Sequence, residues 1–250
     1  MTTPQYFAEN SAPQTIPALL AAAAERYGDK PFLVEEQSYV SYASAWEIVQ
    51  HAASGLLADG FKAGDRAAIW CPNIGEWVLA ALAIQLAGGT LVTLNTRYKG
   101  HEAAQILADS GATHLFCMDA FLGVDYPAVA AANAPKNLKS IIVFRAAAAP
   151  SVGRHWSDLV AAGAAMGDAE RQEYIKTAQC GIDANTASDI LFTSGTTGRA
   201  KGVVTGHGQN IAAFTRFADI LGIDEQDRYL IINPFFHSFG YKAGWLSCLI

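Results

Sequence analysis

Cysteine is scarce in this chain, and its few copies are widely scattered. Four cysteines occur among 250 residues, and no two of them form a C-x-x-C pair. Four scattered cysteines in a chain of this length are typical neither of a disulfide framework nor of a structural zinc site. We therefore expect reduced thiols in an intracellular protein, at Cys71, Cys117, Cys180 and Cys248.

A basic surplus is lacking as well. The chain has 17 lysines and arginines against 23 aspartates and glutamates, a net charge of −6 and a pI near 5.5. Surfaces that bind nucleic acid are normally basic, so we expect no nucleic-acid partner. With 51% hydrophobic and 16% charged residues, the composition is typical of a globular protein and not of a disordered one.

Long apolar runs are also missing. The longest weakly polar stretch, residues 78–94, is interrupted by Gln85, Gly88 and Gly89, and this indicates a helix followed by a strand. Residues 1–11 are polar and lack the pattern of a secretory signal. We expect a cytoplasmic protein that does not insert stably into a membrane.

The middle of the chain alternates short apolar strands with amphipathic helices. Strands and helices of these lengths indicate parallel βαβ units, so we predict an α/β fold with doubly wound, mostly parallel sheets and flanking helices. Before this region we predict helices at 15–28 and 41–59 around a hairpin at 32–34 and 39–40. After it we predict a short helix near 156–160, a loop at 176–186, a strand at 203–205, a helix at 207–221 and a strand at 228–232. The alternating elements are strands at 66–70, 90–94, 114–118 and 140–144, with helices at 74–86, 101–110 and near 127–132.

The most informative stretch of the sequence is ILFTSGTTGRAKGVV, at residues 190–204. An apolar strand leads into a run of hydroxyls and glycines, and a second apolar strand follows Lys201. Gly195 and Gly198 let backbone N–H groups approach an anion closely, and Lys201 adds a positive charge. The pattern predicts a loop that binds nucleotide phosphates through Thr193, Ser194, Gly195, Thr196, Thr197, Gly198, Arg199 and Lys201.

A Walker A loop is an alternative, but the sequence does not match its pattern on either side of the lysine. That pattern, G-x-x-x-x-G-K-[ST], requires glycine directly before the lysine and a hydroxyl residue directly after it. Here Ala200 precedes Lys201, and Gly202 follows it. A plain surface turn remains the other alternative.

Residues 192–202 resemble the phosphate-loop signature of the AMP-forming adenylate-forming enzymes, which include acyl-CoA synthetases and peptide-synthetase adenylation domains. That family usually carries proline where this chain has Ala200. The resemblance implies that ATP and Mg²⁺ are cofactors and that CoA is a co-substrate. It implies a catalytic role for Lys201. It also implies that Thr193 lies near Mg²⁺.

A second segment, NPFFHSFG at residues 233–240, resembles the P-x-x-H-x-x-G stretch of the same family. Such a histidine lies at the acyl pocket in the family, so the resemblance implies a catalytic and substrate-binding role for His237. Phe236 and Gly240 are the other implied substrate-binding residues. A packed core histidine is the alternative.

The resemblance covers residues 15–250, and the family continues much further. We expect residues 1–250 to be a partial N-terminal adenylation domain, with a scaffold sheet at about 60–190, a phosphate-loop and acyl-pocket region at 188–250, and no C-terminal lid domain. Such a fragment should be inactive alone. We also expect self-association, driven by an uncovered apolar end at 245–250.

The resemblance implies an acid–thiol ligase that activates a carboxylic acid with ATP and then transfers the acyl group to CoA. The segment at 235–244 is similar to ligases for fatty and ring-bearing acids, including those for the propionate side chain left by steroid ring breakdown. Two alternatives remain open: an adenylation domain that loads a carrier-protein thiol, and a non-catalytic nucleotide-binding fragment.

Overall fold

The computed structural model describes residues 12–36, 38–150, 152–193 and 200–250. Within them one seven-stranded sheet organises the chain, and its strands follow the order β11-β10-β4-β3-β5-β8-β9. Only the β10–β11 pair is antiparallel; the other neighbours are parallel. The strands are β1 (Pro31–Glu35), β2 (Ser38–Ser41), β3 (Arg66–Trp70), β4 (Thr90–Thr93), β5 (His114–Met118), β6 (Ala120–Phe121), β7 (Val124–Asp125), β8 (Ser140–Phe144), β9 (Arg154–His155), β10 (Ala187–Thr193) and β11 (Lys201–Gly206).

Helices cover both faces of this sheet. A wide helical turn at Tyr241–Leu246, kinked at Gly244, joins the last two short helices. The helices are α1 (Ile16–Tyr27), α2 (Tyr42–Ala58), α3 (Gly75–Leu86), α4 (Gly100–Ser110), α5 (Tyr126–Ala132), α6 (Trp156–Ala164), α7 (Asp168–Gln179), α8 (His207–Leu221), α9 (Ser238–Gly240) and α10 (Ser247–Leu249).

The central strands form because their apolar runs are buried on both faces. In β3, the four residues that follow Arg66 are all buried, and β4 is buried throughout. Continuous burial of this kind is typical of parallel strands covered by helices on both sides. Helix α3 lies on one face and is buried from Trp77 to Leu86, while α4 and α5 pack on the other. The predicted α/β fold is confirmed.

One predicted loop begins later than expected, at residue 180, because a helix that we did not predict precedes it. Residues 168–179 form helix α7, whereas we predicted that 176–186 is a loop. Only Ile175, Ala178 and Gln179 of this helix are buried, so it lacks the apolar stripe that identifies a helix in a sequence. Its first turn carries Asp168 and Glu170, which stabilise a helix N-terminus.

The predicted strand at 228–232 was wrong. The structure has no regular element there, and Leu230 and Ile232 are 82% and 80% exposed. A strand forms only where another strand satisfies its N–H and C=O groups, and none of the described strands pairs with this segment.

The apolar end of the chain is covered, contrary to our prediction. Trp245 and Leu246 are fully buried and belong to the main core with Trp77 and Tyr241. Several large exposed apolar side chains lie instead on β11, at the end of α8 and on the residues that follow it, namely Val203, Val204, Ile220, Leu221, Tyr229, Leu230, Ile232 and Phe239; others lie elsewhere, at Val34, Tyr39, Leu122, Val124 and Tyr174.

In the described residues, no helix is both long and apolar enough to cross a membrane.

Candidate functional site

The two strands that flank the phosphate-loop sequence form an antiparallel hairpin. Thr193, the last residue of β10, lies opposite Lys201, the first residue of β11. The Thr193 hydroxyl is 3.4 Å from the Lys201 carbonyl oxygen, and both residues are exposed. The two predicted strands therefore pair, with Thr193 and Lys201 opposite each other at the mouth of the hairpin. The other predicted phosphate-binding residues, at 194–199, lie outside the described residues.

Gly202 allows the hairpin to pack closely at this mouth. A Cβ atom at Gly202 would lie 2.9 Å from Cγ2 of Ile190 and 3.2 Å from the ring of Phe192. Since real Cβ contacts are rarely so short, a larger residue would displace the Ile190 side chain and the Phe192 ring. The glycine after Lys201 thus allows close packing across the hairpin.

The segment that carries His237 is anchored to the ends of two central strands. The Asn73 side chain, just beyond β3, donates to the Asn233 carbonyl oxygen at 2.9 Å and accepts from the Phe235 N–H at 2.8 Å. At the end of β4, the Thr93 hydroxyl donates to the Phe236 carbonyl oxygen at 3.0 Å. Three side-chain hydrogen bonds therefore fix the backbone directly before His237.

The hairpin mouth and the His237 segment lie at the same edge of the sheet. Thr193 and Thr93 end parallel neighbouring strands, and Asn73 follows the next strand in the sheet. Ligands of open α/β sheets bind outside the carboxyl ends of the strands. The two predicted motifs, distant in sequence, thus lie at the same edge of the sheet, where a substrate is expected.

The His237 side chain is exposed at this edge. Its ring lies 4.6 Å from the ring of Phe236, and its backbone carbonyl accepts from the N–H groups of Gly240 and Tyr241. The alternative of a packed core histidine therefore does not hold. His237 begins a helical turn and directs its side chain to solvent.

Gly240 has a steric reason to be glycine. A Cβ atom there would overlap the backbone carbonyl oxygens of Pro234 and Asn233. These carbonyls belong to the turn that carries His237, so the turn closes only around a residue without a side chain.

Asn73 and Thr93 are the site residues that sequence reasoning did not single out. Asn73 falls within the predicted scaffold region, and Thr93 falls within a predicted strand. The useful signal was their position at or shortly beyond the carboxyl ends of buried strands, since polar residues there face the ligand edge of a parallel sheet.

A buried histidine lies behind the hairpin. His207, the first residue of α8, accepts the Ile16 N–H through Nδ1 at 3.2 Å. Burial lowers its pKa to about 4 from an ordinary value of 6.5. The imidazole is therefore neutral at physiological pH, and it ties the start of α1 to the element that follows β11.

His207 should make the stability of the protein depend on pH. Between about pH 6.5 and 4 the unfolded chain binds a proton at His207 and the folded chain does not, so the free energy of unfolding falls as pH falls. A shift of this size corresponds to roughly 3 kcal/mol across that range. Urea denaturation at pH 4.5 and pH 7 should show a clearly smaller loss for His207→Gln, which keeps an acceptor but does not titrate. The matched change at exposed His101, His101→Gln, should leave the loss unchanged, and equal losses in wild type and His207→Gln would contradict the assignment.

The residues at the hairpin mouth fit a phosphate group and fit Mg²⁺ only in part. A hydroxyl and an ammonium group are suitable partners for phosphate oxygens. Mg²⁺ usually binds through one or two carboxylates together with substrate phosphates and waters. No group of three or more His, Cys, Asp or Glu side chains in the described parts of the chain is arranged to hold a metal ion. Thr193 could therefore contribute one oxygen to a Mg²⁺ ion whose other ligands come from elsewhere.

A protein-family model matches most of the chain. The model of the AMP-binding enzyme family matches residues 20–250. A curated relative, the 3-[(3aS,4S,7aS)-7a-methyl-1,5-dioxo-octahydro-1H-inden-4-yl]propanoyl:CoA ligase of Mycobacterium tuberculosis, is 40% identical over 236 residues. That match covers 94% of this chain and 45% of the relative, so the chain spans about half the length of the curated relatives it matches.

Solved structures share the fold. O-succinylbenzoate CoA synthetase from Bacillus subtilis, in complex with ATP and a magnesium ion, superimposes with a TM-score of 0.66 at 26% identity, over 92% of this chain and 54% of that one. The N-terminal domain of FACL13 from M. tuberculosis gives a TM-score of 0.72 at 24% identity, over 94% and 55% of the two chains. The second likeness shows the fold alone.

Proposed function

The chain belongs to the AMP-binding enzyme family, and we propose that it is the N-terminal part of an ATP-dependent acyl-CoA ligase. The observation that carries the proposal is the shared sheet edge, at which both the Thr193–Lys201 mouth and the anchored His237 segment lie. The named activity of the M. tuberculosis relative, which is 40% identical, supports the same reaction.

The proposed reaction has two steps that balance without an external oxidant or reductant. A carboxylate oxygen attacks the α-phosphorus of ATP, and the bond from that phosphorus to the bridging oxygen breaks, which releases pyrophosphate. The CoA thiol then releases its proton to water and its sulfur attacks the acyl carbon. The bond from that carbon to the phosphate oxygen breaks, and AMP leaves with the electron pair. Mg²⁺ would neutralise phosphate charge in the first step.

The residues of this chain are proposed to act by positioning and by charge. A carboxylic acid has a pKa of about 4–5 and arrives ionised, so it needs no general base. The difficulty is to bring one anion onto a polyanion, which demands donors aimed at the developing charge. Lys201 and the Thr193 hydroxyl would bind phosphate oxygens, together with the groups at 194–199. His237 would bound the carboxylate at the acyl side, beside Phe236 and Gly240.

We propose a ring-bearing or fatty acid as the substrate and CoA as the acceptor. The M. tuberculosis relative is named for a propanoyl chain on a two-ring skeleton, which supports the ring-bearing class. A cytoplasmic location and the absence of a nucleic-acid partner complete the proposal. The four free cysteines are consistent with a reducing compartment.

Product analysis tests the proposal. We define the joined ligase as this chain fused in frame to the residues that follow the matched region in the M. tuberculosis relative. The joined ligase, incubated with ATP, Mg²⁺, CoA and a panel of fatty and ring-bearing acids, should give acyl-CoA and AMP, measured by mass spectrometry. Acyl-adenylate without acyl-CoA would favour a carrier-protein acceptor, and the absence of both products would refute the ligase proposal.

A further inference from the structure

A buried ion pair lies beneath the candidate site and joins it to the hairpin. Lys242 Nζ is 2.8 Å from Asp189 Oδ1, and the two side chains are 7% and 0% exposed. The same ammonium group donates to the Thr205 hydroxyl oxygen at 3.0 Å. One cation therefore contacts β10 and β11 together, from the helical turn that follows His237.

A small polar network surrounds the carboxylate. The second oxygen of Asp189 accepts from the Asn210 side-chain amide at 2.5 Å and lies 2.8 Å from the Ser188 hydroxyl. Burial raises the pKa of Tyr241 well above its usual range, and the nearby Asp189 charge adds to the shift. The carboxylate is thus held by β10, by α8 and by the turn at 241–246.

Stability alone does not explain an ion pair in this position. Moving two charges out of water costs free energy that their attraction often does not recover, and a well-packed apolar pair is frequently as stable or more so. What such a pair does supply is one defined geometry, because each charge is tolerated only against its partner. Asp189 lies four residues before Thr193, and its cross-strand neighbour Thr205 lies four residues after Lys201. The pair therefore fixes the end of the hairpin that lies opposite its mouth. Thr193 and Lys201, the two proposed phosphate-binding residues, lie at that mouth.

The ion pair is also linked, through Lys242, to the turn that carries His237. The N–H of Tyr241 donates to the His237 carbonyl oxygen at 3.0 Å, and Lys242 is the next residue. A shift of Lys242 would therefore move the turn that presents His237.

We propose that Asp189 and Lys242 are positioning residues that fix the phosphate-binding hairpin relative to the His237 turn. The proposal rests on the proposed function for its catalytic consequence, since it assigns phosphate binding to one end and acyl binding to the other. Neither residue need touch the substrate. They act by fixing the distance between the phosphate-binding hairpin and the His237 turn, which do touch the substrate.

The test compares three forms of the joined ligase. The single variant Lys242→Met leaves the Asp189 charge buried without its partner, so its melting temperature should fall well below wild type. The double variant Asp189→Asn with Lys242→Met removes both charges and should regain much of that loss. If the pair positions the site, kcat for ATP–pyrophosphate exchange should stay at least tenfold low in the double variant, with KM for ATP changed less than threefold. Recovery of kcat together with the melting temperature would show that the pair is only structural.

Hydrogen exchange supplies a measurement that does not depend on activity. In the 250-residue chain, the double variant should speed amide exchange at 201–206 and 241–246 by tenfold or more and leave β5 unchanged. The matched control is Arg154→Met with Asp59→Asn, an ion pair of 3.2 Å at the opposite end of the sheet, which should leave both segments unchanged. Unchanged exchange in the Asp189 and Lys242 double variant would overturn the positioning role. If the wild-type joined ligase catalyses no exchange with any acid, the ligase proposal fails, and hydrogen exchange alone then decides the role of the pair.

Discussion

Replacing Lys201 with alanine in the joined ligase is expected to lower the rate of ATP–pyrophosphate exchange by about 10- to 150-fold. A charge-assisted hydrogen bond to a phosphate contributes about 1.5–3 kcal/mol, and each 1.36 kcal/mol is a factor of ten in rate. Lys201 is exposed at the first position of β11, so its removal should not disturb the core. Thioester formation from supplied acyl-adenylate should fall much less, because pyrophosphate has left by that step.

The control for this prediction is a second exposed lysine. Lys136→Ala removes the same charge from a turn remote from β11 in the sequence and should change neither step. The two steps are measured separately, exchange with labelled pyrophosphate and thioester formation in a single turnover. Equal losses in both steps for Lys201→Ala would contradict the assignment of Lys201 to the departing phosphates.

The Gly240→Ala variant should lose both stability and activity. The added methyl group overlaps two backbone carbonyl oxygens, of Pro234 and Asn233, which cannot rotate away as a side chain could. Overpacking of this kind costs about 1–3 kcal/mol of unfolding free energy. Because the strained turn carries His237, we also expect exchange activity to fall about 100-fold, the usual cost of displacing a reacting group by about 1 Å.

Gly75→Ala is the matched control for the steric argument. Its Cβ would lie 3.7 Å from the nearest atom, the Glu35 carboxylate, which is ordinary contact distance. Gly75 opens α3, where alanine is a good helix former, so this variant should be as stable as wild type or more so. Denaturant unfolding and exchange assays on both variants check the pair of predictions. Wild-type stability and activity in Gly240→Ala would show that the turn can open at no cost.

The scaffold could be predicted from the sequence where burial is periodic or continuous. Strands β3, β5 and β8 have the predicted bounds because uninterrupted apolar runs with polar ends have only one good interpretation. Helix α8 was predicted at 207–221 and is found there, ended by Gly222 in the left-handed conformation. Helix α7 was missed because three buried residues in twelve do not make a recognisable stripe.

The candidate site was only half visible in the sequence. The strands on either side of the phosphate loop were predicted from one local pattern, but the antiparallel pairing that places Thr193 opposite Lys201 was not. The contacts of Asn73 and Thr93 with the His237 segment span 143 to 162 residues, and no local spacing reports a contact at such separation. The Asp189–Lys242 pair was missed for the same reason, and also because charged residues are expected at the surface.

ATP–pyrophosphate exchange tests most directly whether this chain is the phosphate-binding and acyl-binding part of a ligase. Three samples are compared with one panel of carboxylic acids: the 250-residue chain alone, the C-terminal portion of the M. tuberculosis relative alone, and the joined ligase. We predict exchange from the joined ligase with at least one acid, and none from either part alone. Robust exchange from the chain alone as a monomer, or no exchange from a folded joined ligase with any acid, would contradict that claim.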